Sequence, residues 1–115
     1  MAKQARLIAF TYELTPEDSG FSVRCLDWDC VFSEGETVEE CKKNVSQVTR
    51  MYLRELIAGT LDERDYPRFK AHRTSMYQFI LVFNTETLRV FDPSERFKAF
   101  SKATAVGPTE LLVTV

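Results

Sequence analysis

The sequence predicts an α+β fold: a mostly antiparallel sheet of about four to six strands, with one long helix packed on one face. Three observations support this prediction. Two runs that alternate apolar and polar residues flank a turn segment near the N-terminus, a long stretch of helical periodicity follows, and a strongly apolar strand comes after the helix. The predicted order is β-β-β-α-β, followed by a β-α-β extension.

The N-terminal region predicts an antiparallel hairpin and a third strand. In residues 6–14 the large apolar side chains occupy every second position, and residues 21–26 alternate in the same way. Residues 15–20 separate the two runs and contain a proline and a glycine. They favour a turn because proline fixes φ and glycine permits positive φ. Residues 31–33 follow a bend and can pair as the third strand.

The long helix is the clearest element of the sequence. Thr37 is a good N-cap residue, and Glu40, three residues later, completes a capping-box pattern. Gly59 is placed to end the helix, because glycine readily adopts the left-handed conformation of a C-terminal cap. The apolar side chains recur at spacings of three and four and predict one buried stripe. They are Val38, Cys41, Val45, Val48, Tyr52 and Leu56.

The second half of the chain predicts a loop and further strands. Residues 62–74 are polar and basic, which indicates a connecting loop, and residues 76–84 form a strand that is apolar on both faces. Such a strand is central in its sheet, is covered on both sides, or takes part in an oligomer contact. From the last alternative we expect a homodimer or a higher homo-oligomer. Residues 88–91 predict a partner strand, residues 97–103 a short helix, and residues 111–115 a final strand.

Composition and charge exclude several classes of protein. The chain has 115 residues, enough for a single domain, 1–115, with a modest core. Its net charge is −2 and its pI is about 5.4, so no overall positive field attracts nucleic acid or a membrane surface. No apolar run approaches the ~20 residues that a membrane-spanning helix needs. The odd number of cysteines and the lack of a signal-peptide pattern predict a reduced cytoplasmic protein.

Residues that could carry chemistry are sparse, and the sequence predicts a protein without catalytic activity, metal or cofactor. No phosphate-binding loop or nucleophile elbow is present, and His72 is the only histidine. Asp27 and Asp29 are the obvious carboxylate pair for two-metal chemistry, but aspartates are also common in solvated turns, which is the interpretation we favour. A reactive Cys30 would need a neighbouring base, which only His72 could supply.

A basic segment between the helix and the strong strand is the alternative functional site. Its basic side chains are interleaved with Tyr66 and Phe69, a combination that binds phosphates and stacks bases. The other interpretation is a solvated loop whose charges are offset by neighbouring acids, and the acidic balance of the chain favours it. The residues that would bind nucleic acid are Arg64, Arg68, Lys70 and Arg73.

One stretch carries a family resemblance. Residues 26–41 read L-D-W-D-C-V-F-S-E-G-E-T-V-E-E-C, and they follow a hairpin and lead into a long helix. This stretch resembles the signature of HicB-like antitoxin domains, which is close to P-D-L-P-G-C-x-x-x-G-D-T-x-E-E-A. Asp27, Gly35 and Thr37 coincide with the family's Asp, Gly and Thr, and the two glutamates after Val38 coincide with its acidic pair.

The resemblance implies a partial RNase H-like fold without the catalytic carboxylates of that fold. It also implies an antitoxin-type protein that binds a small basic ribonuclease toxin and masks it by protein–protein contact. The family-like core is residues 6–67, and residues 68–115 are then a C-terminal extension of the sheet or a dimerisation element. Many relatives bind operator DNA through a ribbon-helix-helix or helix-turn-helix domain. Residues 68–115 contain neither pattern, so whether this chain binds DNA stays open.

The acidic residues around the bend are the predicted contact surface for a basic toxin, because opposite charges steer association. Trp28 has two interpretations of similar weight: an exposed contact residue at an interface, or a partly buried residue of the core. The predicted partner-binding residues are Asp27, Trp28, Asp29, Glu34 and Glu36.

Overall fold

A computed structural model of the chain describes residues 6–94. Within these residues five antiparallel strands form one sheet, and one long helix packs against it, which confirms the predicted α+β class. The strands lie in the order β3-β2-β1-β4-β5. The elements are β1 Leu7–Glu17, β2 Gly20–Cys25, β3 Phe32–Gly35, α1 Val38–Ala58, a 3₁₀ turn at Glu63–Asp65, β4 Gln78–Asn84 and β5 Val90–Phe91.

The chain divides into two compact units. One unit is Phe10–Phe79, and the described part of the other is residues 6–9 and 80–94. Strands β1 and β4 each contribute residues to both units. All of the residues that the sequence predicts as functional lie in the unit Phe10–Phe79, so the site can be described within that unit alone.

The core of the unit Phe10–Phe79 lies between the sheet and α1. Strands β1 and β2 pair antiparallel with Tyr12 opposite Cys25 and Leu14 opposite Val23, so these four side chains share the face toward the helix. Every second residue is therefore buried from Phe10 to Leu14 and from Val23 to Cys25, as the alternating pattern predicts, whereas Ile8 and Phe21 are half-buried. The buried apolar residues of this unit are Phe10, Tyr12, Leu14, Val23, Cys25, Trp28, Val31, Cys41, Val45 and Leu53.

Helix α1 begins and ends where the sequence predicts. The Thr37 hydroxyl accepts a hydrogen bond from the Glu40 amide at 3.1 Å, and Gly59 closes the helix in the left-handed conformation with φ of 77°. The buried line of the helix differs from the predicted stripe, of which only Cys41 and Val45 are buried and the other four residues are half-buried. The fully buried helix residues include two with hydroxyl groups: Cys41, Val45, Ser46, Thr49 and Leu53.

The polar residues on the buried line are satisfied by hydrogen bonds. The Thr49 hydroxyl lies 2.7 Å from the Val45 carbonyl oxygen and 2.7 Å from the Tyr12 hydroxyl. A carbonyl can only accept, so Thr49 donates to Val45 and Tyr12 donates to Thr49. With its hydroxyl satisfied in this way, Thr49 can lie buried against the sheet. The line of side chains that the helix packs against the sheet therefore differs from the one that hydrophobicity alone indicates.

The strong strand predicted for residues 76–84 is β4, which begins slightly later, at Gln78. Leu81, Val82 and Phe83 are all buried, as an internal strand with neighbours β1 and β5 requires. Burial within one chain therefore accounts for the apolar residues 81–83, whereas Tyr77 and Ile80 are exposed. The predicted strand over residues 88–91 is found as β5. The predicted helix over residues 97–103 and the strand over residues 111–115 lie outside the described residues.

Candidate functional site

The Asp27 side chain joins three parts of the unit Phe10–Phe79. It lies two residues after the end of β2 and is only 5% exposed. Its Oδ2 accepts the Thr11 amide of β1 at 2.8 Å, and its Oδ1 accepts from the His72 ring at 2.6 Å. Its backbone carbonyl accepts the Arg68 amide at 2.7 Å. Asp27 therefore fixes the loop of residues 62–74 against the end of the hairpin.

Trp28 provides a second attachment for the same loop. Its side chain is 1% exposed, and its indole nitrogen donates to the carbonyl of Asp65. The ring stacks on Phe10 with centroids 5.3 Å apart and meets Tyr52 of the helix at 6.0 Å. Of the two interpretations of Trp28, the structure thus supports the buried one, and the residue positions the loop instead of contacting a partner directly.

The five predicted partner-binding residues separate into two groups. Asp29, Glu34 and Glu36 are exposed, whereas Asp27 and Trp28 are buried, with only 5% and 1% of their surface exposed. The exposure of Asp29 and the burial of Asp27 also place the two carboxylates in different surroundings. Among residues 6–94, no group of three or more His, Cys, Asp or Glu side chains is arranged to hold a metal ion.

Glu34 and Glu36 belong to an acidic cleft at the junction of β3 and α1. The cleft has a volume of about 420 Å³, and two further glutamates, Glu17 and Glu40, line it. Glu17 was not predicted from the sequence, because it lies at the end of β1, 17 residues before Glu34. The pairings of Glu17 with Gly20 and of Phe21 with Gly35 bring that end beside β3. The remaining lining residues carry no charge: Ser19, Gly20, Phe21, Gly35 and Asn44.

The close approach of β3 and α1 gives this cleft its shape. A Cβ atom on Gly35 would lie 2.9 Å from the Cys41 amide nitrogen and 3.1 Å from the Glu40 Cβ, so a larger residue would push the strand from the helix. The Asn44 side chain donates to the Glu34 carbonyl at 2.8 Å. Strand and helix are thereby held together with Glu34 exposed at the sheet edge.

The alternative site lies beside the bend that follows β2. A cavity of about 180 Å³ is lined by residues 26–30 at the bend, which include Asp29 and Cys30, and by residues of the loop 62–74. The loop residues that line it are Arg64, Asp65, Tyr66, Arg68 and Lys70. Arg64 pairs with Asp62, with nitrogen and oxygen 3.2 Å apart and both side chains largely exposed. The structure thus brings two separately predicted regions, the bend and the basic segment, to one place.

The three cysteines are free thiols, and their surroundings do not activate them. Cys25 and Cys41 are buried, as predicted, and burial raises the pKa of the Cys25 thiol to about 12. Desolvation and the Asp65 charge also raise the pKa of the half-buried Cys30. His72, the base that a reactive Cys30 would need, is instead bonded to Asp27. The thiol–imidazole pair considered from the sequence is not formed.

Comparison of the chain with family models, with curated proteins and with solved structures gave no match. Within residues 6–94 no helix has both the length and the apolar character needed to cross a membrane.

Proposed function

We propose that the protein is a HicB-like antitoxin-type protein, which binds a small basic ribonuclease toxin and masks its RNA-binding surface. The observation that carries this proposal is the acidic cleft formed by Glu17, Glu34, Glu36 and Glu40, which has no basic lining residue. Three of these glutamates, Glu34, Glu36 and Glu40, lie in the stretch that resembles the antitoxin signature. An RNA-binding surface is positively charged, so a concentrated acidic surface is complementary to it.

The mechanism in this proposal is steric and electrostatic. The carboxylates of the cleft occupy the basic side chains that would otherwise hold RNA phosphates, and the edge of β3 blocks access to the toxin's surface. Exposed charges contribute more to the rate of association and to specificity than to final affinity. Phe32 on β3 is 67% exposed and supplies apolar contact area at the same edge.

Co-expression with the neighbouring open reading frame tests the proposal directly. A small basic protein should co-purify with this chain, and its ribonuclease activity should be suppressed in the complex. If no such protein is encoded beside this chain, or if it does not co-purify, the antitoxin function is refuted.

A pair of matched variants tests the role of the cleft. Changing Glu34 and Glu36 together to Gln should weaken binding of the toxin by about tenfold at low salt, the effect of removing two exposed charges from an interface. The control changes Glu55 and Glu63 to Gln, which removes the same charge from exposed positions outside the cleft. Equal loss of affinity in both variants would mean that only net charge matters.

A further inference from the structure

The loop of residues 62–74 has a defined conformation although it contains little regular structure. Its backbone is bonded to the bend at two points, from the Arg68 amide to the Asp27 carbonyl and from the Trp28 ring to the Asp65 carbonyl. The His72 side chain adds a third bond, to the Asp27 carboxylate. A loop attached in this way presents its remaining side chains in fixed positions, which reduces the entropy lost on binding.

Phe69 is the most unusual side chain of this loop. Its ring stacks on Phe10, with centroids 5.4 Å apart and an angle of 25° between the planes, yet the residue is 55% exposed. Phe10 is fully buried and stacks in turn on Trp28. Phe69 is thus the outermost ring of a stack that is anchored in the core, and it offers an aromatic surface to solvent.

Basic residues lie on both sides of Phe69 in the sequence. Residues 66–73 read Y-P-R-F-K-A-H-R and contain Arg68, Lys70 and Arg73 but no carboxylate. Among residues 6–94, the ion pairs of this loop join Arg64 to Asp62 and His72 to Asp27. Arg68, Lys70 and Arg73 therefore have no carboxylate partner among these residues. In the described part of the chain they are therefore available to an external anion.

The adjoining cavity carries both kinds of hydrogen-bonding group. Arg64, Arg68 and Lys70 supply donors, whereas Asp29 and Asp65 supply acceptors. A site for phosphate alone would not place carboxylates in its lining, because they repel the anion. The edge of a nucleobase carries donors and acceptors together, and it suits this mixed lining.

We propose that this surface, formed by Phe69, Arg68, Lys70, Arg73 and the adjoining cavity, binds single-stranded nucleic acid. One base stacks on the exposed face of Phe69, the cavity receives the edge of a neighbouring base, and the three cations contact backbone phosphates. Stacking on an aromatic ring accepts any base, and it requires unpaired bases, which a duplex does not offer. An acidic protein surface would use the cations but not the ring.

Fluorescence anisotropy with the full chain and labelled oligonucleotides of about twelve nucleotides tests this proposal. RNA, single-stranded DNA and a DNA duplex of the same length are compared from about 20 to about 200 mM salt. Binding of either single strand in preference to the duplex is expected, and the RNA and DNA arms identify the natural ligand. No binding at the lowest salt, or equal binding of the duplex, would overturn the proposal.

Two variants separate stacking from charge. Phe69→Leu keeps apolar cover over Phe10 but removes the aromatic face, and it should weaken binding about 5- to 100-fold. Changing Arg68 and Lys70 to Gln should lower the slope of log affinity against log salt by about 1.4, or about 0.7 for each lost phosphate contact. The matched control, Lys43 and Arg54 to Gln on the exposed side of α1, should change neither quantity.

The outcomes are decisive if each variant is first shown by circular dichroism and thermal melting to be folded. If Phe69→Leu binds like the unmodified chain, the ring is no stacking platform and the proposal fails. If the α1 control loses as much affinity as the Arg68 and Lys70 variant, or if polyglutamate displaces the oligonucleotide as well as unlabelled RNA does, the surface is a general polyanion attractor and the proposal fails.

Discussion

At the scale of single residues, the Tyr12–Thr49 pair shows how a polar contact can lie inside an apolar core. Burial raises the pKa of the Tyr12 hydroxyl far above its ordinary value, so the group stays protonated and donates to Thr49. Thr49 in turn donates to Val45, and both hydroxyls are satisfied. A partly satisfied pair would be much less favourable, because a buried donor without a partner loses its hydration with no compensation.

This arrangement predicts an asymmetric response to mutation. Thr49→Val keeps the side-chain shape but leaves the Tyr12 hydroxyl without a partner, and it should lower the free energy of unfolding by ~1–3 kcal/mol. Tyr12→Phe should have a smaller effect, and the double variant should lose less than the sum of the two single variants. Urea unfolding followed by the fluorescence of Trp28 measures all three. Strict additivity would contradict the proposed hydrogen bond.

Asp27 predicts a local effect on the loop of residues 62–74. Asp27→Ala removes the acceptor of the Thr11 amide and of His72, and it should release the loop as well as destabilise the hairpin end. Trypsin cleaves after Arg and Lys, so digestion after Arg68 and Lys70 should accelerate about tenfold if loop opening becomes easier by ~1.4 kcal/mol. The matched control is Asp29→Ala, because Asp29 lies two residues from Asp27 and is exposed. This variant should leave the digestion rate unchanged.

At the scale of elements, the sequence predicts features that depend on neighbouring residues. It does not predict those that depend on contacts between residues far apart in the chain. Thr37 and Gly59 were identified from the sequence because a cap depends on residues within one turn of the helix. The helix face was misplaced around Thr49, because hydrophobicity does not show that its hydroxyl is satisfied by the Val45 carbonyl and the Tyr12 hydroxyl. Trp28 could not be assigned, since its partner Asp65 is 37 residues away in the sequence.

The N-cap of α1 gives a prediction for that element alone. Thr37→Ala removes the acceptor of the Glu40 amide and should lower the free energy of unfolding by ~1 kcal/mol. Thr37→Ser keeps a hydroxyl in the same place and should retain most of the stability. Urea unfolding measures the stability of both variants. The difference between them reports only on the cap, because Thr37 is exposed and its replacement creates no cavity. Equal destabilisation by Ala and Ser would contradict this role.

At the scale of the whole molecule, self-association remains a prediction, and its basis has changed. The apolar residues 81–83 of β4 no longer indicate a second copy, since they are buried within the chain. Met76, two residues before β4, is 88% exposed, so it is the better position at which to test self-association. If the protein forms a dimer through this region, Met76→Lys should shift its mass in light scattering toward the monomer at micromolar concentration. The same mass for both proteins would exclude contact through this residue.

Alkaline pH should destabilise the whole fold, and the buried thiol of Cys25 provides one cause. Its pKa is raised from 9.0 to about 12 by burial, so between these values the folded state keeps a proton that the unfolded state has lost. The stabilisation is therefore complete below pH 9 and is lost as pH rises through this window, by at most ~1.4 kcal/mol per pH unit for this group. Urea unfolding between about pH 8 and pH 11 should show a shallower decline for Cys25→Ala than for the unmodified chain. Cys30→Ala, at a half-buried position, should change the slope less, and identical slopes for all three proteins would mean that Cys25 does not contribute.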